Sequence, residues 1–201
     1  MSDHYFSEKP TIKSEQKKIT EKILGDSFFF RVDHGVFSKS GLDFGTRLLI
    51  ETFREPEVKG QFADVGCGWG PIGIVLAKIC SGSHFQMVDI NERSVLLSKE
   101  NARLNDVNNV TISQNNLLEG FADTKFAAVL TNPPIRAGKD VVFAIYEQAK
   151  RVLKSRGDLW VVIQKKQGAS STEKKLEELG FEVTTENKKK GYIIIRGKKI
   201  D

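Results

Sequence analysis

Between residues 61 and 180 the chain alternates short apolar runs with longer stretches in which apolar residues recur every three to four positions. The runs over 61–65, 84–88, 110–113, 126–131 and 158–164 predict strands. The stretches between them predict helices over 71–80, from an Asn91 cap to 104, over 139–153, and over 171–179 with Gly180 as the stop. Strands that alternate with helices form a parallel sheet covered on both faces. Two last runs, 181–186 and 192–196, flank a short lysine-rich turn that allows only an antiparallel return. The fold expected is therefore α/β: a Rossmann-like, doubly wound, seven-stranded sheet, mostly parallel with a final antiparallel strand.

Upstream the pattern is weaker. Residues 1–25 read as a polar entry with a helix over 14–24. Residues 28–33 and 36–39 read as a hairpin about His34-Gly35, and Asp43 caps a helix running to 54. Residues 1–56 are expected to be an N-terminal extension of hairpin and helix. Residues 57–201 are expected to be the catalytic core of the same, single domain.

Composition narrows the class. A chain of 201 residues can bury one α/β core, and 39% apolar with 28% charged residues is ordinary for a soluble protein. No apolar run approaches the ~18 residues of a membrane span, and the first 22 residues lack the apolar stretch of a secretory signal. Cys67 and Cys80 have no metal-binding spacing, so no metal and a reduced, cytoplasmic location are expected. The basic excess lies wholly after residue 135, where sixteen Lys and Arg stand against nine Asp and Glu. That suits a phosphate-bearing partner, although a solvated lysine-rich surface accounts for it equally well.

Asp64-Val-Gly-Cys-Gly-Trp-Gly70 leaves a predicted strand and enters a helix, the place where parallel sheets bind ligands. Gly66 and Gly68 let the backbone turn and approach a ligand closely. The run Gly68-Trp-Gly70-Pro-Ile-Gly73 also fits the dinucleotide fingerprint, with Asp89 at ribose distance. Two features favour S-adenosyl-L-methionine over a dinucleotide. Asp64 would attract a cationic amino-acid end and repel a pyrophosphate, and Pro71 removes an N–H that a pyrophosphate would use. Asp89 can accept both ribose hydroxyls. Asn115 and Asn116 can meet an adenine edge, though Asn is also common in turns.

Val129-Leu-Thr-Asn132-Pro-Pro-Ile135 closes the fourth predicted strand of the alternating region. Each proline holds the residue before it extended, so the Asn132 side-chain oxygen and the Pro133 carbonyl become two fixed acceptors. Two acceptors can take both hydrogens of a planar amino group and return its lone pair to the nitrogen. With a methyl already activated on a sulfonium, alignment is then the main requirement, and neither metal nor strong base is needed. Pro134, Ile135, Arg136 and Lys139, on or just after this loop, are candidate substrate contacts. Lys165, Lys166, Lys188, Lys189, Lys190 and Arg196 can extend them along a phosphate backbone.

Together these segments resemble the amino-methyltransferases, which carry Asn/Asp-Pro-Pro-Tyr/Phe. The lead-in Gly35-Val-Phe-Ser-Lys-Ser-Gly-Leu-Asp-Phe-Gly-Thr46 resembles the compact form of the RsmC-type ribosomal RNA guanine-N2 methyltransferases. The resemblance implies a cofactor site at Asp64, Gly66, Gly68, Asp89 and Asn116, with Thr46 near the methionine end and Asn132 against the amine. It implies small-subunit (16S) ribosomal RNA, or the small subunit itself, as partner. Ile135 stands where the family has an aromatic, so stacking on a base is weaker or comes from elsewhere; Phe37 and Trp69 are candidates, and each is equally readable as core or cofactor-pocket wall. Other acceptors remain open at this stage: a protein glutamine amide, a DNA adenine or a small amine. So does a nicotinamide-dependent oxidoreductase or a nucleotide-binding module.

Overall fold

The computed structural model describes residues 13–36, 38 and 41–201. Nine strands and five α-helices follow one another among them. Strands β1 (Lys17–Ile23) and β2 (Asp26–Val32) form an antiparallel hairpin. Helix α1 (Phe44–Thr52) leads to β3 (Gln61–Val65), α2 (Pro71–Ile79), β4 (Phe85–Asp89), α3 (Glu92–Leu104), β5 (Val110–Gln114) and β6 (Phe126–Thr131). A short 3₁₀ turn then precedes α4 (Lys139–Val152), β7 (Leu153–Gln164), α5 (Ala169–Glu178), β8 (Phe181–Lys189) and β9 (Tyr192–Lys199).

The main sheet has the order β5-β4-β3-β6-β7-β9-β8, and β9 alone runs against its neighbours. This is the doubly wound sheet with a final antiparallel strand that the sequence predicts. Strands β3 and β6 are buried along nearly their whole length, as central strands covered on both faces must be. One apolar cluster joins α1, α2 and α3 to one face; a second joins α4 and α5 to the other. The chain reverses its direction of winding between β3 and β6, so the loops after these two strands flank the crevice where such sheets bind ligands.

The N-terminal expectation is corrected in two places. Residues 17–23 are a strand, not part of a helix over 14–24: Ile19, Glu21 and Ile23 face inward while Lys18, Thr20 and Lys22 face solvent, a period of two. The hairpin turns at Leu24-Gly25, both at positive φ (51° and 94°), the two-residue geometry that matches strand twist. His34-Gly35 is a turn beyond β2, and the strand expected over 36–39 is absent at Val36 and Ser38; Phe37 and Lys39 lie outside the described residues.

The hairpin is fastened by two asparagines about one helical turn apart, Asn101 on α3 and Asn105 at its C-cap. Asn105 accepts from the Phe29 backbone N–H at 2.9 Å and donates to the Phe29 carbonyl at 2.7 Å. Asn101 does the same at Arg31, at 2.7 and 2.9 Å, and donates also to the Trp69 carbonyl in the glycine loop at 2.7 Å. Both side chains are buried, so Asn101→Ala strands three backbone groups. We expect it to lower stability by about 3 kcal/mol, at roughly 1 kcal/mol per lost bond. Urea unfolding checks this, and a loss under about 1 kcal/mol would show that water replaces the amide.

Candidate active site

The glycine loop turns immediately after β3. Gly66, Gly68 and Gly70 have φ of 70°, 58° and 94°, a region that costs any side-chain-bearing residue strain. A Cβ added at Gly66 or Gly68 would meet no protein atom, because both positions border a cavity of about 320 Å³. Gly73 is needed for a different reason: its Cβ would stand 2.6 Å from the Met87 sulfur, so its absence lets α2 close on β4.

Asp89 ends β4 at the cavity wall. Its Oδ2 accepts from the Gly68 N–H at 2.8 Å and its Oδ1 from the Asn91 N–H at 2.9 Å. Burial pushes its pKa up to about 6 against the opposing effect of these N–H groups. Asn91, as predicted, caps α3, accepting from the Arg93 and Ser94 N–H groups. Ile90 and Leu117 supply apolar walls beside Asp89.

Asp64 lies deeper than its spacing implied. It is wholly buried beneath the loop and does not line the cavity. Its Oδ2 accepts from the Gly73 N–H at 2.9 Å, and its Oδ1 has no protein partner. Burial raises its pKa to about 7; the Gly73 bond opposes this and the Asp89 charge adds to it. Both carboxyls thus have folded pKa values above the ordinary 3.8. The stability this contributes is complete below about pH 4 and is lost as pH rises through about 6 and 7. Without cofactor, the wild type should therefore lose ground to Asp64→Asn as pH rises from 5 to 8. The difference in melting temperature should move by several degrees, and a constant difference would show that Asp64 ionises normally.

Asn115 and Asn116 border the cavity after β5, but their amides serve the loop. Asn115 Nδ2 donates to the Leu117 and Glu119 carbonyls, and Asn116 Nδ2 to Glu119 Oε1 at 2.5 Å. The Asn116 side-chain oxygen remains for a ligand.

Across the cavity, Asn132 follows β6 and is held by α1. Its Nδ2 donates to Thr46 Oγ1 at 2.9 Å and lies 3.4 Å from Asp43 Oδ2. Asp43 Oδ1 meanwhile caps α1 through the Gly45 and Thr46 N–H groups. With its donor side engaged, the amide is left with Oδ1 as the free acceptor. The Pro133 carbonyl already takes the Ile135 N–H at 2.9 Å and keeps its second lone pair. The sequence marked Asp43 only as a helix cap. Its second role depends on a contact 89 residues away, and the one local signal was its place in the lead-in ending at Thr46.

The remaining candidates divide. Pro134 lines the cavity; Ile135 packs against the core on the α4 side; Arg136 and Lys139 are exposed, with the Lys139 ammonium 4.9 Å over the Phe143 ring. Trp69 borders the cavity but is only 1% exposed and packs edge-on against Phe30 at 4.8 Å, so it offers little surface to a base. Arg196 lies well down β9 from the turn, in an ion pair of 2.7 Å with Glu186, and so drops out of the proposed phosphate track. Among the described residues no group of three or more His, Cys, Asp or Glu is placed to hold a metal. No described helix is long and apolar enough to cross a membrane.

A glycine-cradled cavity at the winding switch, a strand-end carboxylate and a stiff Asn-Pro-Pro loop define a Rossmann-like methyltransferase site. Residues 27–196 match the family model for the methyltransferase small domain, and the chain belongs to that family. It is accordingly an S-adenosylmethionine-dependent methyltransferase, which replaces the oxidoreductase alternative. The uncharacterized protein YbxB of Bacillus subtilis (strain 168) is 53% identical over 201 residues, covering 100% of both chains. The T. thermophilus 16S rRNA N2 methyltransferase RsmC, in complex with AdoMet and guanosine, superposes with a TM-score of 0.81 at 26% identity. That match covers 94% of this chain, which spans only 52% of the RsmC chain. M. jannaschii TYW2 in complex with AdoMet gives a TM-score of 0.61 at 18% identity, over 93% of this chain and 88% of that one, and shares the fold.

The cavity fits such a cofactor. The open glycine positions leave room for it, Asp89 can accept ribose hydroxyls, and the carboxyls of Asp89 at the wall and Asp64 beneath it suit a positively charged ligand. When bound, the cofactor supplies a methyl group made electrophilic by a sulfonium.

Proposed function

We propose that this chain methylates the exocyclic N2 amine of a guanine in small-subunit ribosomal RNA. The observation that carries the proposal is the locked amide of Asn132, whose donor side is taken up by Thr46 and Asp43 and whose oxygen is free at the cavity. Asn132 Oδ1 and the Pro133 carbonyl would accept the two amine hydrogens and return the nitrogen lone pair to the reaction. Asp89, Gly66, Gly68 and Asn116 would hold the cofactor, with Thr46 bracing Asn132. Asp64 would act from beneath through its charge rather than by contact. The likeness to RsmC supports a guanine in RNA over other amines.

The basic surface agrees with this reading. The end of β8 and its turn into β9 carry exposed Lys188, Lys189 and Lys190, and the Lys165 N–H donates to the Gly191 carbonyl at 2.8 Å. That bond joins the turn to the segment holding Lys165 and Lys166, on the same sheet edge as Asn132. If these lysines meet phosphates, the rate at limiting RNA should fall about tenfold or more between roughly 50 and 200 mM salt. A rate indifferent to salt would remove them from the substrate path.

The decisive experiment supplies labelled cofactor and small ribosomal subunits from a strain lacking the protein, followed by nucleoside analysis. N2-methylguanosine is expected. Label recovered in protein, in N6-methyladenosine or only in small amines would overturn the proposal.

A further inference from the structure

We propose that Tyr192 and Gln164 form the wall and the reading edge that hold the target base, an assignment that rests on the guanine reading above. The loop after β6 cannot supply the wall, because Ile135 packs back into the core. A planar base taken out of its stack needs an aromatic partner and hydrogen bonds along its edge.

Both are found on the two strands that continue the sheet beyond Asn132. Gln164 is the last residue of β7, Tyr192 the first of β9, and the two are paired in register. Gln164 Nε2 donates to Tyr192 Oη at 2.8 Å. The tyrosine ring lies against the first turn of α1: it packs on Phe44 at 5.7 Å between centroids, and a Cβ on Gly45 would stand 2.5 Å from Cε1. Gly45 is thus the residue that admits the ring. The next residue, Thr46, is the one that holds Asn132. A single helical turn therefore sets both the accepting amide of Asn132 and the aromatic. Tyr192 and Gln164 are only partly buried, so each retains accessible surface. The Lys190 ammonium sits 4.9 Å over the Phe44 ring, which places a cation for phosphate at the same corner.

The chemistry selects guanine. Along one edge guanine presents N1–H and the N2 amine, both donors. Asn132 Oδ1 and the Pro133 carbonyl take the amine. Gln164, with its nitrogen committed to Tyr192, has Oε1 left for N1–H. Adenine would bring an unprotonated N1 against that oxygen.

The test uses RNA whose mapped target guanine is replaced by 2-aminopurine, which keeps the N2 amine and has an unprotonated N1. The wild type should methylate it about tenfold or more slowly than guanine, the consequence of one unpaired polar contact. Gln164→Leu should slow the guanine reaction and bring the two bases within about threefold of each other. Tyr192→Leu should lower kcat/KM for RNA by about 30-fold or more, as expected for a lost stacking contact. Tyr192→Phe should keep most of that rate and relax the discrimination. Cofactor affinity should stay unchanged in all three, since neither residue lines the cofactor cavity; that readout separates a lost base contact from a damaged fold. Undiminished discrimination in Gln164→Leu, or a wild type that prefers 2-aminopurine, would overturn the inference while leaving guanine methylation standing. A wild type that leaves guanine N2 unmodified would overturn the reading beneath it, and the inference with it.

Discussion

Asn132→Ala should abolish methyl transfer, with kcat down about a thousandfold or more and cofactor affinity within about threefold of wild type. In the proposed mechanism the substitution removes one of two acceptors for the amine and the only one that is a side chain. A thousandfold corresponds to about 4 kcal/mol of transition-state stabilisation, in the range found when a preorganised polar contact to the reacting group is deleted. Asn132→Asp should be no better. It keeps an acceptor but places a second carboxylate where the amide now lies 3.4 Å from Asp43, and repulsion would turn the group out of register. Single-turnover rates at saturating cofactor, with calorimetry on the same samples, give both quantities. An Asn132→Ala enzyme that retains more than about a tenth of the rate would move the catalytic role elsewhere.

Asp89→Ala should produce the opposite split: cofactor affinity reduced about a hundredfold or more, with the rate at saturation little changed. The two charge-assisted hydrogen bonds to ribose hydroxyls proposed for Asp89, at about 1.5 kcal/mol or more each, would account for that loss. The variant should also change the pH profile. Asp89 titrates near 6 and Asp64 near 7 in the cofactor-free protein. A cationic ligand favours both in the ionised form, so affinity should rise from pH 5 to pH 8 with proton release on binding. In Asp89→Ala only the Asp64 contribution remains, at a lower pKa because the neighbouring charge is gone. Calorimetry in buffers of different ionisation enthalpy counts the protons. Equal affinity at pH 5 and pH 8 in the wild type would mean that neither carboxyl senses the ligand.

The sheet and its ligand crevice were legible because central strands leave a strong trace. Residues 61–65 and 126–131, predicted as strands, have those bounds in the structure: strands covered on both faces are mainly apolar, here interrupted within the buried run only by Asp64 and Thr131. The N-terminal hairpin left a faint one. Its β1 is half solvent-facing and lysine-rich, and its turn uses Leu24 at positive φ, where Asn or Gly would have announced it. In the site, Asp89 and Asn132 could be placed because one ends a strand and the other follows one, and strand ends meet at one edge. Depth could not be read: nothing in the spacing before the glycines says that Asp64 lies under the loop. Long-range partnership could not be read either. That Asp43 steadies Asn132, or that Gly45 makes room for Tyr192, follows only once α1 is laid on the sheet face over β7 and β9, with its first turn beside Asn132 and Tyr192.

Asn101 and its neighbour Asn105 at the end of α3 have a consequence for solubility. A hairpin leaves a row of unpaired N–H and C=O groups along each outer edge, and such an edge recruits other chains. On β2 the side chains of Asn101 and Asn105 occupy that row at Phe29 and Arg31, acting as a third strand made of amides. The opposite edge, on β1, is studded with Lys17, Lys18 and Lys22, whose charge discourages pairing. Loss of Asn101 or Asn105 would therefore do more than loosen the hairpin: it would uncover a strand edge beside the exposed Phe29 ring and give partly unfolded molecules a place to associate.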